Sequence, residues 1–251
     1  MRELATLAAF YRPLHFARID STNDEAKRRA AAAAEEGTLV WADEQSAGRG
    51  RRGREWVSTP GNLHVSLILR PRCQALAAAQ LGFVAALAVA EACARFLPQG
   101  PVPRCKWPND VLIDGQKVAG LLLESSADAQ GALAWLVLGI GVNLASHPAA
   151  TEYPATSLAA WGAAVTPAAM LDVLAALFLA GYQSWRAEGF APARAAWLAR
   201  AFDGLGAPIR VRLAASEFSG RFAGLNEAGM LLLDGAGGRR TIAAAEIFPA
   251  A

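Results

Sequence analysis

Short apolar runs of strand length recur along the first part of the chain. They predict strands over residues 14–19, 38–44, 63–70, 111–113, 118–124 and 135–144. Asp114 and Gly115 lie between the fourth and fifth of these runs, and because both residue types tolerate positive φ they predict a hairpin. Gly139 and Gly141 interrupt the last run, which indicates that another group approaches the backbone closely there.

Longer apolar stretches at helical spacing predict four helices. They are expected over residues 22–36, 76–97, 167–185 and 192–201. Thr22 and Glu25 have the spacing of a capping box for the first helix, and Gly37 is expected to end it. Thr166 followed by Pro167 has the order of a cap and a first-turn proline, and predicts the start of the third helix.

From Gly204 onward the pattern changes to short strands separated by glycine-rich turns. These strands are expected over residues 209–213, 218–225, 230–233 and 239–243. Strands of this length and spacing predict a small β-barrel. The chain is therefore expected to contain an α+β domain over residues 1–204 and a C-terminal barrel over residues 205–251.

Composition and charge narrow the functional classes. The chain is 54% hydrophobic and 18% charged, which is typical of a globular protein. Its net charge of +2 is too small for a protein that binds polyanions with its whole surface, so an anion site has to be local. The three cysteines form no C-x-x-C pair, which favours free thiols in a reducing compartment.

The N-terminus and the apolar stretch 76–97 indicate where in the cell the protein is expected. The first residues lack the layout of a signal peptide. The apolar stretch 76–97 contains Gln80, Glu91 and Arg95 and is rich in alanine, so it predicts a buried helix rather than a membrane span. We therefore expect a cytoplasmic protein with no membrane partner.

The most unusual stretch is Gln45–Trp56, which reads Gln-Ser-Ala-Gly-Arg-Gly-Arg-Arg-Gly-Arg-Glu-Trp. Its glycines raise the entropic cost of regular structure, and its guanidinium groups suit an anion. It predicts a flexible loop that closes over a phosphate or a carboxylate. The alternative is a basic arm for nucleic acid, but no aromatic residues are interleaved among the arginines as single-strand binding favours.

A second polar stretch is Lys106-Trp107-Pro108-Asn109-Asp110. Ring packing and the restricted φ of Pro108 limit the freedom of Lys106. This lysine is either a surface residue on a tight turn or a cation placed between two anions that react. Other polar or glycine positions also have both a structural and a functional interpretation: Lys117, Gly120 and Ser21–Asn23.

Taken in order and spacing, these motifs closely resemble those of the biotin protein ligases. The matching stretches are Ser21–Asn23, Gln45–Trp56, Lys106–Asp110, Lys117–Gly120 and Gly139–Asn143. They extend over residues 10–145, and the C-terminal barrel agrees in position and size. The resemblance implies a mixed β-sheet packed with helices, as in class II synthetases, followed by an SH3-like β-barrel.

The resemblance also implies a reaction, that of a biotin–[acetyl-CoA-carboxylase] ligase. Biotin and ATP, with Mg²⁺, form biotinyl-5′-AMP and pyrophosphate. A lysine of the biotin carboxyl carrier protein of acetyl-CoA carboxylase then attacks the mixed anhydride. The main alternative is a lipoate–protein ligase or a related acyltransferase of the same fold, although the glycine- and arginine-rich loop and the Lys106–Asp110 stretch are typical of the biotin branch.

Site residues follow from the resemblance residue by residue. The implied biotin positions are Ser21, Thr22, Asn23, Gln45, Gly48, Arg49, Arg51, Lys106, Gly120 and Gly139. The implied ATP positions are Arg51, Arg54, Trp56, Lys106, Asn109, Lys117 and Asn143. Lys106 and Arg51 receive the catalytic roles, with Lys106 between the biotin carboxylate and the α-phosphate. No metal ligands are implied, and the stretch after Leu144 diverges from the family.

The sequence also leads to expectations about nucleic-acid binding and oligomeric state. Some family members carry an N-terminal helix-turn-helix domain and act as repressors. Only about ten residues precede the first matching strand here, so we expect no operator or other nucleic-acid binding. The protein is expected to be a monomer or a homodimer.

Overall fold

The computed structural model describes residues 7–97, 99–128, 132–149, 151, 153–213 and 216–249. The strands are β1 Arg12–Ile19, β2 Thr38–Gln45, β3 Leu63–Leu69, β4 Arg104–Lys106, β5 Asp110–Ile113, β6 Gln116–Ala127, β7 Leu133–Val142, β8 Pro208–Arg212, β9 Glu217–Leu225, β10 Leu231–Gly235, β11 Gly238–Ile242 and β12 Glu246–Pro249. The helices are α1 Thr22–Ala31, α2 Ala75–Ala78, α3 Leu81–Phe96, α4 Pro167–Glu188 and α5 Ala191–Ala199.

A seven-stranded mixed sheet forms the larger part of the molecule. Its strand order is β1-β2-β3-β7-β6-β5-β4. The edge pair β1–β2 is parallel and is connected through α1, whereas the other neighbouring strands of this sheet are antiparallel. Helices cover both faces. This arrangement confirms the predicted α+β fold with a mixed sheet.

The alternation of side chains along the strands explains how both faces are buried. Val40, Ile68 and Val137 pack with Ala26 and Ala30 of α1 on one face. The neighbouring positions on the same strands point to the opposite face, because side chains alternate along a strand. There they join a larger core with α3, α4 and α5.

Two helical segments are long and apolar enough to span a bilayer by length and composition. They are Ala75–Phe96 and Pro167–Glu188. In the structure, 67% of the apolar window of the first and 39% of the second are buried within the protein. The two pack against each other, and α3 also contacts β4, β5 and β6. This is the packing of core helices, as predicted for the first segment.

The start of α1 differs from the prediction by one residue. The N-cap is Ser21, which has extended backbone angles and whose Oγ accepts a hydrogen bond of 3.3 Å from the N–H of Asp24. Thr22 therefore lies in the first turn, and the predicted capping box with Glu25 does not form. Because the cap is Ser21, the Thr22 hydroxyl is available for the interior of the protein.

Two helix predictions also differ from the structure: one helix ends earlier than predicted, and another is divided into two. Helix α1 ends at Ala31 rather than Glu36, since Ala33 adopts a φ of 63° and breaks the helix ahead of Gly37. The segment predicted as one helix over 76–97 is divided into α2 and α3. In contrast, the hairpin prediction is confirmed, with Asp114 and Gly115 at φ values of 48° and 74°.

The C-terminal strands form a separate five-stranded antiparallel sheet in the order β11-β10-β9-β8-β12. This confirms the predicted small β-unit, although its last strand, Glu246–Pro249, was not predicted. The three-residue strand β4 was also missed, because it is too short to show a pattern. Both missed strands lie beside the site described below. The boundary between residues 204 and 205 stays a prediction.

Candidate active site

One cleft of about 280 Å³ lies between the large sheet, the loop after β2, the turn after β4 and strand β12. It brings together all but one of the residues that the resemblance implied. These are Ser21, Thr22, Asn23, Gln45, Arg49, Arg51, Arg54, Trp56, Lys106, Asn109, Lys117, Gly120, Gly139 and Asn143. Residues about 120 positions apart in the chain thus line a single cavity.

Gly48 is the exception, because the structure does not place it in the cleft lining. A Cβ at this position would lie 2.7 Å from the carbonyl oxygen of Trp56 and even closer to the hydroxyl of Ser58. The Gly48 carbonyl accepts a hydrogen bond of 2.9 Å from the N–H of Trp56. The missing side chain therefore allows the two ends of the loop to approach each other.

The loop between these ends folds back on itself. The N–H of Gly50 donates to the carbonyl of Arg54 at 2.7 Å, and Arg51–Gly53 forms a short 3₁₀ turn. Arg52 and Gly53 have φ values of 58° and 72°, a region that glycine enters at no steric cost. As a result, neighbouring arginines of the loop point to different partners.

The cleft has two chemically different ends, and we call the first the α1 end, formed by Ser21, Thr22, Asn23 and Gln45. The Gln45 Oε1 accepts hydrogen bonds from the N–H of Thr22 at 2.7 Å and from its hydroxyl at 3.0 Å. The Gln45 Nε2 donates to Ser58 Oγ at 2.8 Å. Thr22 and Asn23 are 4% and 5% exposed, so this end presents a buried and ordered polar surface.

Arg49 connects the loop to the rim of the α1 end. Its guanidinium forms a close ion pair with Asp24 and donates to the Glu124 Oε2 at 3.0 Å. The hydrogen bond from Arg49 lowers the pKa of Asp24 to about 2. Lys27 adds a third cationic contact, 2.9 Å from Glu124 Oε1. Arg49 lines the cleft, but these carboxylates already occupy its guanidinium.

The second end, which we call the cation end, contains Lys106 and Arg51. Lys106 is only 6% exposed, and its Nζ lies 3.7 Å from the centre of the Tyr153 ring and 5.7 Å from that of Phe248. The two rings stack with centres 5.0 Å apart. Burial raises the pKa of Asp203, and the charge of Lys106 opposes that rise. The aromatic walls hold the ammonium group in place.

Arg51 is half-buried and lines the same cleft as Lys106. Its guanidinium donates to the Asn109 Oδ1 at 3.3 Å, and the Asn109 Nδ2 donates to the carbonyl of Leu121 at 2.5 Å, which orients the amide. Burial lowers the pKa of Arg51, and the neighbouring charge of Arg52 adds to the effect. Within the described part of the chain Arg51 forms no ion pair. A desolvated guanidinium of this kind attracts an anion.

The Trp56 ring lies against the backbone of Gly120 and Gly141 in the cleft. A Cβ on Gly141 would be 2.5 Å from the Trp56 Nε1, and a Cβ on Gly120 would be 3.0 Å from its ring. Lys117 lies over the same indole, 5.4 Å from the ring centre, and pairs with Asp110 at 2.7 Å. The prediction that a group approaches the backbone at the glycines of β7 is confirmed.

The remaining predicted residues of the cleft lining are Asn143 and Arg54. Asn143 is buried, and its Nδ2 donates to the carbonyl of Thr156 at 3.0 Å. Arg54 is exposed and forms a close ion pair with Glu246 of β12. The same carboxylate receives Arg212 at 2.7 Å. The C-terminal sheet therefore contacts the arginine-rich loop directly.

Comparison with known proteins shows the family. The model of the biotin/lipoate A/B protein ligase family matches residues 15–143, and the model of the biotin protein ligase C-terminal domain matches residues 204–248. The chain is 49% identical over 240 residues to a biotin–[acetyl-CoA-carboxylase] ligase of Paracoccus denitrificans, covering 92% of this chain and 98% of the relative. This chain belongs to the biotin protein ligase family.

Other relatives of the family agree. The bifunctional ligase/repressor BirA of Bacillus subtilis is 35% identical over 237 residues, which cover 91% of this chain and 71% of the relative. A solved structure of the biotin protein ligase of Aquifex aeolicus in complex with biotin and ATP superimposes with a TM-score of 0.82 at 27% identity. It covers 96% of this chain and 100% of that chain.

Several residues in or around this site of the biotin protein ligase family were not identified from the sequence. Tyr153 lies in the stretch that diverges from the family, and Phe248 lies in a strand that was not predicted. Ser66 and Glu124 were assigned only to strands. No local motif distinguishes such residues, because their roles depend on contacts between distant elements. The ring packing expected at Lys106 from the adjacent Trp-Pro sequence comes from Tyr153 and Phe248, whereas the Trp107 Nε1 donates to the carbonyl of Gly229 at 3.2 Å.

Proposed function

We propose that this protein is a biotin–[acetyl-CoA-carboxylase] ligase, which activates biotin with ATP and transfers it to a carrier-protein lysine. One observation supports this best: a single cleft joins an ordered, uncharged polar end to an end with a buried lysine and a half-buried arginine. The α1 end suits a neutral ring with hydrogen-bonding groups, and the cation end suits a carboxylate beside a phosphate. A relative with this fold binds biotin and ATP together.

In the first half-reaction the biotin carboxylate attacks the α-phosphorus of ATP. The new bond is a carboxyl–phosphate anhydride, and the bond to pyrophosphate breaks. Both reactants are anions, so their approach is opposed by charge repulsion. Lys106, positioned by Tyr153 and Phe248, neutralises this charge, and Arg51 binds the same oxygens. Neither residue has to form a covalent intermediate.

The assigned ATP contacts extend along the rest of the cleft. Lys117 and Trp56 form one wall, and Asn109 orients Arg51 from the other. Arg54 meets the phosphates in this proposal and exchanges its Glu246 partner for them. Such an exchange requires the loop to move, which its glycines allow.

In the second half-reaction the amine of the acceptor lysine attacks the carbonyl carbon of the anhydride. An amide bond forms, the carboxyl–phosphate bond breaks, and AMP leaves with the bonding electrons. Closure of the Gln45–Trp56 loop keeps water from the anhydride before the acceptor arrives. The acceptor we propose is the biotin carboxyl carrier protein of acetyl-CoA carboxylase, in line with the name of the Paracoccus denitrificans relative.

The metal, the location and the assembly are parts of the same proposal. Mg²⁺ is proposed to enter with ATP as the counter-ion of the triphosphate. Among the described residues there is no group of three or more His, Cys, Asp or Glu side chains that could hold a metal ion. We further propose a cytoplasmic monomer or homodimer that does not bind nucleic acid.

The deciding experiment is exchange of radioactive pyrophosphate into ATP, with biotin and lipoate offered in separate reactions. Exchange that depends on biotin and on Mg²⁺ supports adenylation of biotin. Exchange with lipoate alone assigns the protein to the lipoate branch. Absence of exchange with either acid, together with salt-dependent binding of single-stranded nucleic acid, overturns the proposal. Transfer is then measured by mass spectrometry of the carrier protein.

A further inference from the structure

A chain of hydrogen bonds runs beneath the α1 end and ends at a carboxylate outside the cleft. The Asn23 Nδ2 donates to the Glu124 Oε2 at 2.9 Å. Ser66 Oγ lies 2.5 Å from the Asn23 Oδ1 and 2.8 Å from the Thr22 Oγ1. Ser66 is completely buried on β3 and does not line the cleft. Neither Ser66 nor Glu124 has a role in the reaction described above.

The backbone leaves space for this chain at one glycine. Ser66 is the register partner of Gly139 on β7. A Cβ on Gly139 would lie 2.8 Å from the Asn23 Cγ, so only a glycine allows the amide to lie beside Ser66. Gly139 therefore supports Asn23 as well as lining the cleft.

The charge of Glu124 gives the chain a direction. An ionised carboxylate only accepts hydrogen bonds, so the Asn23 amide has to turn its NH₂ group toward Glu124. Its carbonyl oxygen then faces Ser66 and takes the single proton of that hydroxyl. Ser66 Oγ is left as an acceptor toward Thr22, whose own proton points either to Ser66 or to the Gln45 Oε1.

Two ion pairs keep Glu124 ionised. Lys27 lies 2.9 Å from one carboxylate oxygen and Arg49 lies 3.0 Å from the other. Burial alone raises the pKa of Glu124, but the hydrogen bonds from Lys27 and Asn23 lower it below its usual range overall. The carboxylate is therefore charged at neutral pH, and the direction of the hydrogen bonds is maintained.

We propose that Glu124 is a positioning residue which, through Asn23 and Ser66, makes the Thr22 hydroxyl an acceptor for a ligand N–H. This inference rests on the proposed function and names the ligand group that the α1 end selects. A ureido ring presents N–H donors at its edge. The 1,2-dithiolane ring of lipoate has none, so it leaves a buried acceptor unpaired, which is costly.

Three variants separate the effect of hydrogen-bond direction from the effect of the charges around Glu124. Glu124→Gln keeps the size of the side chain but offers an amide that pairs with Asn23 in either orientation. Ser66→Ala removes the connection between Asn23 and Thr22, and leaves both ion pairs of Glu124 intact. It therefore tests the inference even if Glu124→Gln fails to fold. Lys27→Met is the control, because it removes one ion pair of Glu124, whereas Arg49 still pairs with the carboxylate at 3.0 Å and keeps it ionised, so that the direction of the hydrogen-bond chain is kept.

The ligands are biotin and its two cyclic carbamate isomers, in each of which a ring oxygen replaces one ureido N–H. Dissociation constants are measured by calorimetry for these ligands and for ATP. We expect the unmodified protein to bind biotin at least about tenfold more tightly than one of the isomers, as for loss of a good hydrogen bond. In Glu124→Gln and Ser66→Ala, that ratio is expected to fall to within about threefold, with ATP affinity unchanged.

The outcomes distinguish this inference from the proposed function. If the unmodified protein does not bind biotin, both fail. For each carbamate isomer, its dissociation constant is divided by that of biotin. If the unmodified protein binds biotin and these two ratios are the same in Ser66→Ala as in the unmodified protein, only the inference fails. A Lys27→Met protein that loses discrimination to the same extent as Ser66→Ala also overturns it, since charge rather than hydrogen-bond direction then decides the preference.

Discussion

The two ends of the cleft differ in how their polar side chains are paired within the protein. At the α1 end, Thr22, Asn23 and Gln45 are paired with other protein groups before any ligand arrives. At the cation end, Lys106 lies against aromatic rings, and Arg51 meets an amide oxygen instead of a carboxylate. A neutral ligand group requires an ordered pattern of donors and acceptors. Anions require positive charge that is held away from water.

This difference predicts that substitutions at the cation end affect the chemical step, whereas substitutions at the α1 end affect binding. The largest effect is expected for Lys106→Ala. Because the lysine offsets repulsion between carboxylate and phosphate in our proposal, adenylation in a single turnover should slow by at least about 100-fold. Lys27→Ala is the matched control and should stay within about threefold. Near-normal adenylation by Lys106→Ala would show that Lys106 is not a catalytic residue.

The second effect concerns retention of the intermediate. Arg51→Gly removes the half-buried guanidinium that contacts the adenylate in our proposal. We expect release of biotinyl-5′-AMP to accelerate by at least about tenfold, as for loss of a charge-assisted hydrogen bond. Release is measured by filter binding of radioactive adenylate. Arg95→Ala, an exposed position on α3, is the control, and equal release rates in all three proteins would contradict the role of Arg51.

A third, smaller effect tests whether Trp56, which packs on Gly141, contributes to ATP binding. Gly141→Ala places a methyl group within 2.6 Å of the Trp56 ring and has to displace it. ATP affinity should fall by about three- to tenfold, while biotin affinity changes less. Gly82→Ala on α3 meets Leu123 at an ordinary 3.4 Å and serves as the control. A selective loss of biotin affinity would indicate that Trp56 contributes to biotin binding instead of ATP binding.

The smallest effect is one of stability at the rim of the α1 end. The folded-state pKa of Asp24 is about 2, below that of an unfolded aspartate, because Arg49 is bonded to it. The pair therefore stabilises the fold above about pH 4, and this contribution is lost as the pH falls toward 2. Asp24→Asn should lower the free energy of unfolding by about 1 kcal/mol at pH 7.

Denaturant titrations of the unmodified protein and Asp24→Asn at several pH values measure this contribution. The two stabilities should converge as the pH approaches 2. A difference that does not change between pH 7 and pH 3 indicates that Asp24 acts through packing rather than through its charge. In that case the rim of the α1 end is not held by the ion pair with Arg49.

Local sequence signals predicted most of the secondary structure and the family. Asp114-Gly115 predicted its hairpin, and Thr166-Pro167 predicted the start of α4, whose cap Thr166 accepts from the N–H of Ala169 at 3.2 Å. The family prediction is confirmed, because its motifs are short and contiguous. The cap of α1 was misplaced by one residue, since Ser21 and Thr22 are both good caps and only the pairing of Thr22 with Gln45 decides between them.

The sequence by itself thus determined the α+β organisation with a mixed sheet, the family and the residue types of the cleft. Tertiary structure alone decided which arginines of the Gln45–Trp56 loop are paired with carboxylates. Arg49 and Arg51 are two positions apart in one glycine-rich loop, yet Arg49 is bonded to Asp24 and Glu124, whereas the side-chain partner of Arg51 among the described residues is the amide of Asn109. The reason is physical: the availability of a charge depends on partners from distant strands and helices, and no local pattern encodes those partners.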